Sequence, residues 1–286
     1  MDVTVVDKSG GRVWGIGAWV GGYVALTFLA SAGFLVVQGY SGVDPAALSL
    51  GQFGPAVAVV CLYAGIRLWR SGFASRSRAV PGRKGFVPLP RAVPGRRVVV
   101  NLVVLVGGCV VLGAMVMVGM RWHGTGLVGP SPVGGVPFVV FLVLQLFGAV
   151  GEEIGWRGFM QPVLESRFGR LAAVLTTGTV WALWHTPAYT HGPVVAVSFF
   201  VSVVAFAVLL GYLAEGSVRQ RIAVASIGHW LINIALYLAV GDDTLVRPQV
   251  TFTAVAAAVV AATAVGAQAW TTRAGTASAQ PHRSAI

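Results

Sequence analysis

Residues 136–157 read VPFVVFLVLQLFGAVGEEIGWR. An apolar run ends in two adjacent carboxylates, Glu152 and Glu153, followed by Arg157. Crossing a hydrocarbon core takes about 20 such residues of helix. Lipid offers no partner to a free backbone N–H or C=O, so a run of this kind has to be helical. Seven more runs share its character, at roughly 13–37, 45–69, 98–120, 171–188, 193–214, 221–240 and 250–270, beside 136–156 itself. No strand-like alternation of period two interrupts them. The expected fold is all-α, a polytopic membrane helix bundle of about eight transmembrane helices over 13–270. A cytoplasmic N-terminal tail (1–12) and a disordered C-terminal tail (271–286) flank it.

Composition agrees. Of 286 residues, 56% are hydrophobic and 10% charged, with a mean hydropathy of +0.79. Soluble domains carry about 25% charged residues. The first run contains Ala30-Ser31-Ala32, which resembles a cleavage site, but its length and the acids before it favour a retained helix. Cys61 and Cys109 each lie in an apolar run, which leaves no basis for a disulfide framework or a thiolate metal cluster.

The net charge of +11 does not imply nucleic acid as a partner, because the basic residues are sorted by connection. Lys8 and Arg12, the loop 71–97, Arg167 with Arg170, Arg219 with Arg221, and Arg273 with Arg283 fall on one side of the membrane. The other side has Arg121 and Arg247 beside Asp44, Asp242 and Asp243. The positive-inside rule places the chain in the cell membrane with both termini cytoplasmic. The basic loop 71–97 reads as a disordered or surface-lying segment that sets topology, with binding of anionic lipid or a substrate tail as the alternative.

Ionisable groups inside membrane spans are costly and mark functional sites. Glu153 and Arg157, four residues apart, share a helix face and can pair, whereas Glu152 points about 100° away. The plainer alternative leaves both acids at a helix end among headgroups. His185 stands in Trp181-Ala182-Leu183-Trp184-His185-Thr186-Pro187, where Pro187 ends or kinks the helix and can free carbonyls beside the imidazole. His229 and Asn233 share a face one turn apart, and could instead glue helices together by a hydrogen bond. If the chain turns near 168–170, Glu152 and His185 each lie about 16 residues from the turn, level with each other at roughly 20–25 Å. Asn233 lies about 12 residues past Arg221, roughly 18 Å in from the same side. Three helices thus bring polar groups to one depth.

That set suits peptide hydrolysis. Glu152 with His185 can activate water, His229 and Asn233 can donate to an oxyanion, and Arg157 can hold Glu153. The order Glu-Glu-x-x-x-Arg, aromatic-x-x-x-His, His-x-x-x-Asn, over 136–237, resembles the CAAX prenyl protease and bacteriocin-processing (CPBP, Abi) family of intramembrane endopeptidases. The resemblance implies that Glu152 and His185 activate water, that His229 and Asn233 serve the oxyanion, and that the substrate is a peptide or membrane protein. Trp181 departs from the family's usual Phe and is expected to alter packing beside His185 more than chemistry. Members of the family have been described as metalloproteases and as metal-free. Zinc is possible as a cofactor here, since two His and a Glu can form an open three-ligand site. The zinc-protease motif His-Glu-x-x-His is absent. The rival readings are a proton-coupled transporter and a non-catalytic membrane scaffold, and the absence of an internal repeat speaks against the first.

Overall fold

A computed structural model of the protein describes residues 15–74, 90–242 and 244–278. Most of loop 71–97, the N-terminal residues 1–14 and residues 279–286 lie outside the described residues, as does Asp243.

The helices are α1 (Ile16–Ser41), α2 (Gly54–Ala74), α3 (Gly95–Trp122), α4 (Phe138–Gly155), α5 (Gln161–Glu165), α6 (Arg170–Trp184), α7 (Pro193–Leu213), α8 (Val218–Val240) and α9 (Gln249–Ser278). A π turn, Trp156–Met160, joins α4 to α5 into one rod, Phe138–Glu165. Pro162 lacks the amide N–H that would carry the α ladder past this point. Among the described residues there is no strand, only an isolated bridge between Val133 and Val136. The helical bundle expected from sequence is therefore present.

The count of about eight spans is approximate. Among the described residues six rods are long and apolar enough to cross a membrane: α1, α3, the α4–α5 rod, α7, α8 and Gln249–Gln268 of α9. α6 has 15 residues. At 1.5 Å per residue it reaches about 22 Å, short of a core of about 30 Å. Its apolar run was expected to continue to 188, but Pro187 stops it at Trp184, and a 3₁₀ turn, Thr186–Thr190, follows. Within the second run the described apolar stretch is Leu50–Gly65. At the C-terminus, α9 continues to Ser278, past the boundary expected at 270.

Polarity runs inside out relative to a soluble fold. Leu29, Val36, Val103, Val110, Val139 and Val197 lie exposed on the outer surface. Asn101, Gln145, Glu152, Glu153, Arg157 and Gln161 are buried within. A bilayer is the solvent that makes this arrangement favourable. Cys61 faces outward and Cys109 is buried, both free. α8 packs against α3, α4 and α7, while α2 packs against α1 and α4.

The two ends of the bundle differ in charge. At one end Glu215, between α7 and α8, accepts hydrogen bonds from Arg97 (2.5 Å) and Arg170 (2.6 Å). Beside it Arg221 pairs with Glu165 at 2.7 Å. At the other end Tyr237 donates to the carbonyl of Ala46 (3.3 Å), and the N–H of Gly129 to that of Leu238 (2.9 Å). Arg97, Arg170 and Arg221, from three of the basic connections, thus meet at one end.

Candidate active site

The α4 face toward α2 is built from small residues. A Cβ on Gly148 would collide with the carboxamide of Gln52, and one on Gly151 would meet Phe53 at 2.8 Å. These glycines let the 3₁₀ turn Leu50–Phe53 come close enough for Gln52 to reach the carboxylates. Ser31 of α1 pins that turn by donating to the carbonyl of Gly51 and accepting from the indole N–H of Trp184, both at 3.0 Å.

The two acids then part company. Glu153 is fully buried; its Oε1 accepts from Arg157 Nη1 at 2.8 Å and lies 3.0 Å from His229 Nδ1. The pairing of Glu153 with Arg157 follows from their four-residue spacing. The guanidinium also lies over the ring of Trp181, 4.5 Å from its centre, a cation–π contact. Glu152 faces elsewhere. Its Oε1 accepts from Gln52 Nε2 (3.0 Å) and its Oε2 from Trp181 Nε1 (2.6 Å). The expectation that Trp181 changes packing more than chemistry is thus incomplete. A phenylalanine there has no N–H to give.

The end of α6 determines the state of His185. A continuing helix would satisfy the Trp181 carbonyl with the His185 N–H. Here that N–H bonds to Ala182 instead, at 3.1 Å. The freed carbonyl of Trp181 lies 2.8 Å from His185 Nδ1. A carbonyl only accepts, so Nδ1 carries the proton and the lone pair of the neutral ring sits on Nε2. Pro187 does open a carbonyl beside the imidazole, as its position suggested.

Similar logic orients the amides. The Ala47 carbonyl takes Gln145 Nε2 at 3.2 Å, which turns Gln145 Oε1 toward Asn233 Nδ2 at 3.1 Å. Asn233 therefore presents nitrogen on this side and keeps a second N–H.

Glu152, His185, His229 and Asn233 line one cavity of about 260 Å³, together with Gln52, Gln145 and Trp181. Glu153 and Arg157 stand behind it. Glu152 and His185 share the cavity without a hydrogen bond to each other. Among the described residues no group of three or more His, Cys, Asp and Glu side chains is gathered closely enough to hold a metal ion. Both Glu152 oxygens already face N–H donors. This donor set is not assembled as a zinc site.

Residues 134–235 match the family model described as type II CAAX prenyl endopeptidase Rce1-like. This region is Rce1-like. The chain is also 30% identical, over 135 residues, to CAAX prenyl protease 2 of Methanococcus maripaludis. That alignment covers 43% of this chain and 49% of the relative, so the chain spans about half the length of the curated relative it matches. The Rce1-like region contains Glu152, Glu153, Arg157, Trp181, His185, His229 and Asn233. Gln52 and Ala47 lie outside it, so the first half of the chain completes the site. Sequence reading missed Gln52 and Gln145. A polar amide in an otherwise apolar run was the signal available for both.

Proposed function

We propose that the protein is an intramembrane endopeptidase in which Glu152 and His185 activate a water molecule. The observation that carries this reading is the 2.8 Å approach of His185 Nδ1 to the Trp181 carbonyl, which assigns the tautomer. With Nδ1 committed to the Trp181 carbonyl, Nε2 is an acceptor in the same cavity as the Glu152 carboxylate. A water between two acceptors donates a hydrogen to each and turns a lone pair toward the scissile carbonyl carbon. Glu152 takes the proton as the C–O bond forms. Asn233, and His229 in its imidazolium form, donate to the oxyanion; the imidazolium uses one N–H for Glu153 and the other for substrate. As the C–N bond breaks, Glu152 returns the proton to the leaving nitrogen. Glu153 and Arg157 position His229 and Trp181. Support comes also from the Rce1-like region, which contains every residue given a chemical role here.

The reading places the protein in the cell membrane with both termini cytoplasmic and a peptide or membrane protein as substrate. The test compares membranes from cells expressing the wild type and Glu152→Gln at equal levels. Peptides or precursor proteins should accumulate only with the variant. Identical peptide profiles, with proton flux lost in the variant, would replace the endopeptidase with a transporter.

A further inference from the structure

The cavity has a direction. Its lining runs from Glu152 and His185 to Pro45, Ser49, Thr244 and Val250. Pro45 is exposed, and Ser49 and Thr244 are half-buried. These residues belong to the end of the bundle where Tyr237 meets Ala46, with Asp44 and Asp242 exposed nearby in the chain. The opposite end is closed. Trp156, Met160 and Leu210 are fully buried. Beyond them the ion pairs of Glu215 with Arg97 and Arg170, and of Arg221 with Glu165, tie α3, α5, α6 and α8 together. The closed end is the one that carries the basic connections.

We infer that the site is reached from the face opposite the basic connections, so that its substrate is a peptide segment presented on the non-cytoplasmic side of the membrane. This rests on the endopeptidase reading for the word substrate, and on the positive-inside rule for the side. The lining narrows the class further. It includes no Lys or Arg. The one cation of the proposed mechanism, the His229 imidazolium, is paired with Glu153 and committed to the oxyanion, so a terminal carboxylate would find no further countercharge, and the hydroxyls and apolar groups of Ser49, Thr244, Val250 and Thr253 suit uncharged side chains. The substrate is therefore an uncharged stretch inside a longer chain that reaches the site from the outer face.

Single-cysteine variants decide this in a Cys61→Ser, Cys109→Ala background that retains the wild-type fold. His185→Cys should react with a small membrane-impermeant thiosulfonate added to intact spheroplasts, and Thr244→Cys should do the same. Arg219→Cys, exposed at the basic end, should react only in inverted vesicles. Reaction of His185→Cys from the inner face alone, or of Arg219→Cys from the outer face, overturns the inference. These labelling results do not depend on activity. Cleavage is read separately, on Thr244→Cys before and after modification with a bulky impermeant maleimide. Loss of cleavage on modification supports the route, and unchanged cleavage overturns it. Outer-face labelling without any cleavage by the unmodified protein keeps the route and removes the endopeptidase reading.

Discussion

The indole N–H of Trp181 donates to Glu152 Oε2 at 2.6 Å, while the ring of the same residue carries the Arg157 guanidinium on its face. One side chain therefore touches both halves of the Glu-Glu-x-x-x-Arg motif from another helix. Trp181→Phe keeps a ring for Arg157 and removes the hydrogen bond. A hydrogen bond to a charged group contributes about 1.5–3 kcal/mol. If half of that holds Glu152 in its reactive position, kcat falls about four- to twelvefold. KM should hardly change, because Trp181 does not hold the substrate at a distance from the reaction. Steady-state kinetics separates the two. An unchanged kcat would make Trp181 a packing residue only.

Glu153 and Arg157 should matter for folding more than for chemistry. Removing one member of a buried pair strands the other and costs about 3–5 kcal/mol. Glu153→Gln and Arg157→Ala are expected to lower thermal stability in detergent and the yield of folded protein. Glu152→Gln should do neither, since Trp181 can donate to the new amide oxygen while the Gln52 carboxamide flips to accept from the new amide nitrogen. A thermal shift series on the three variants checks the contrast.

Much of this site was legible in the sequence. Glu152, Glu153, Arg157, His185, His229 and Asn233 stand out because ionisable and amide groups at helical spacing are conspicuous in apolar runs. The Gln52–Glu152 contact was not legible, because the partners are 100 residues apart and nothing local in the sequence links them. The same holds for Gln145 and Ala47. Eight apolar runs were readable, yet hydropathy did not show that α6 ends early. That depends on Pro187 outweighing the apolar residues around it. The donor role of Trp181 depends on side-chain direction, which a motif pattern leaves open.

Glu215 gives a pH dependence outside the membrane spans. Burial alone would raise its carboxyl, but hydrogen bonds and charge from Arg170 and Arg97 outweigh burial and hold it below the ordinary carboxylate value. A carboxylate with a depressed folded-state value stabilises the protein above its unfolded value of about 4.3 and stops doing so as pH falls through the lower folded value. Wild type should thus exceed Glu215→Gln in thermal stability at neutral pH, and the gap should close only in acid below the unfolded value. A gap that is constant with pH would contradict the ion-pair account.

Metal content tests the assembly of the donor set. With Glu152 bonded to two N–H donors and no metal-type cluster among the described residues, purified active protein should contain far less than one equivalent of zinc. Its activity should survive a chelator strong enough to strip a three-ligand site. Stoichiometric zinc that leaves and returns together with activity would show that Glu152, His185 and His229 rearrange into a metal site.

In the proposed mechanism Glu152 drives addition of water to a peptide bond inside the membrane. Purified protein in detergent, incubated with a library of uncharged peptides in ¹⁸O-labelled water, tests it most directly by mass spectrometry. The wild type should generate new C-terminal carboxylates carrying ¹⁸O, and Glu152→Gln of equal thermal stability should generate none. Labelled termini appearing equally with both proteins, or with neither, would contradict the account.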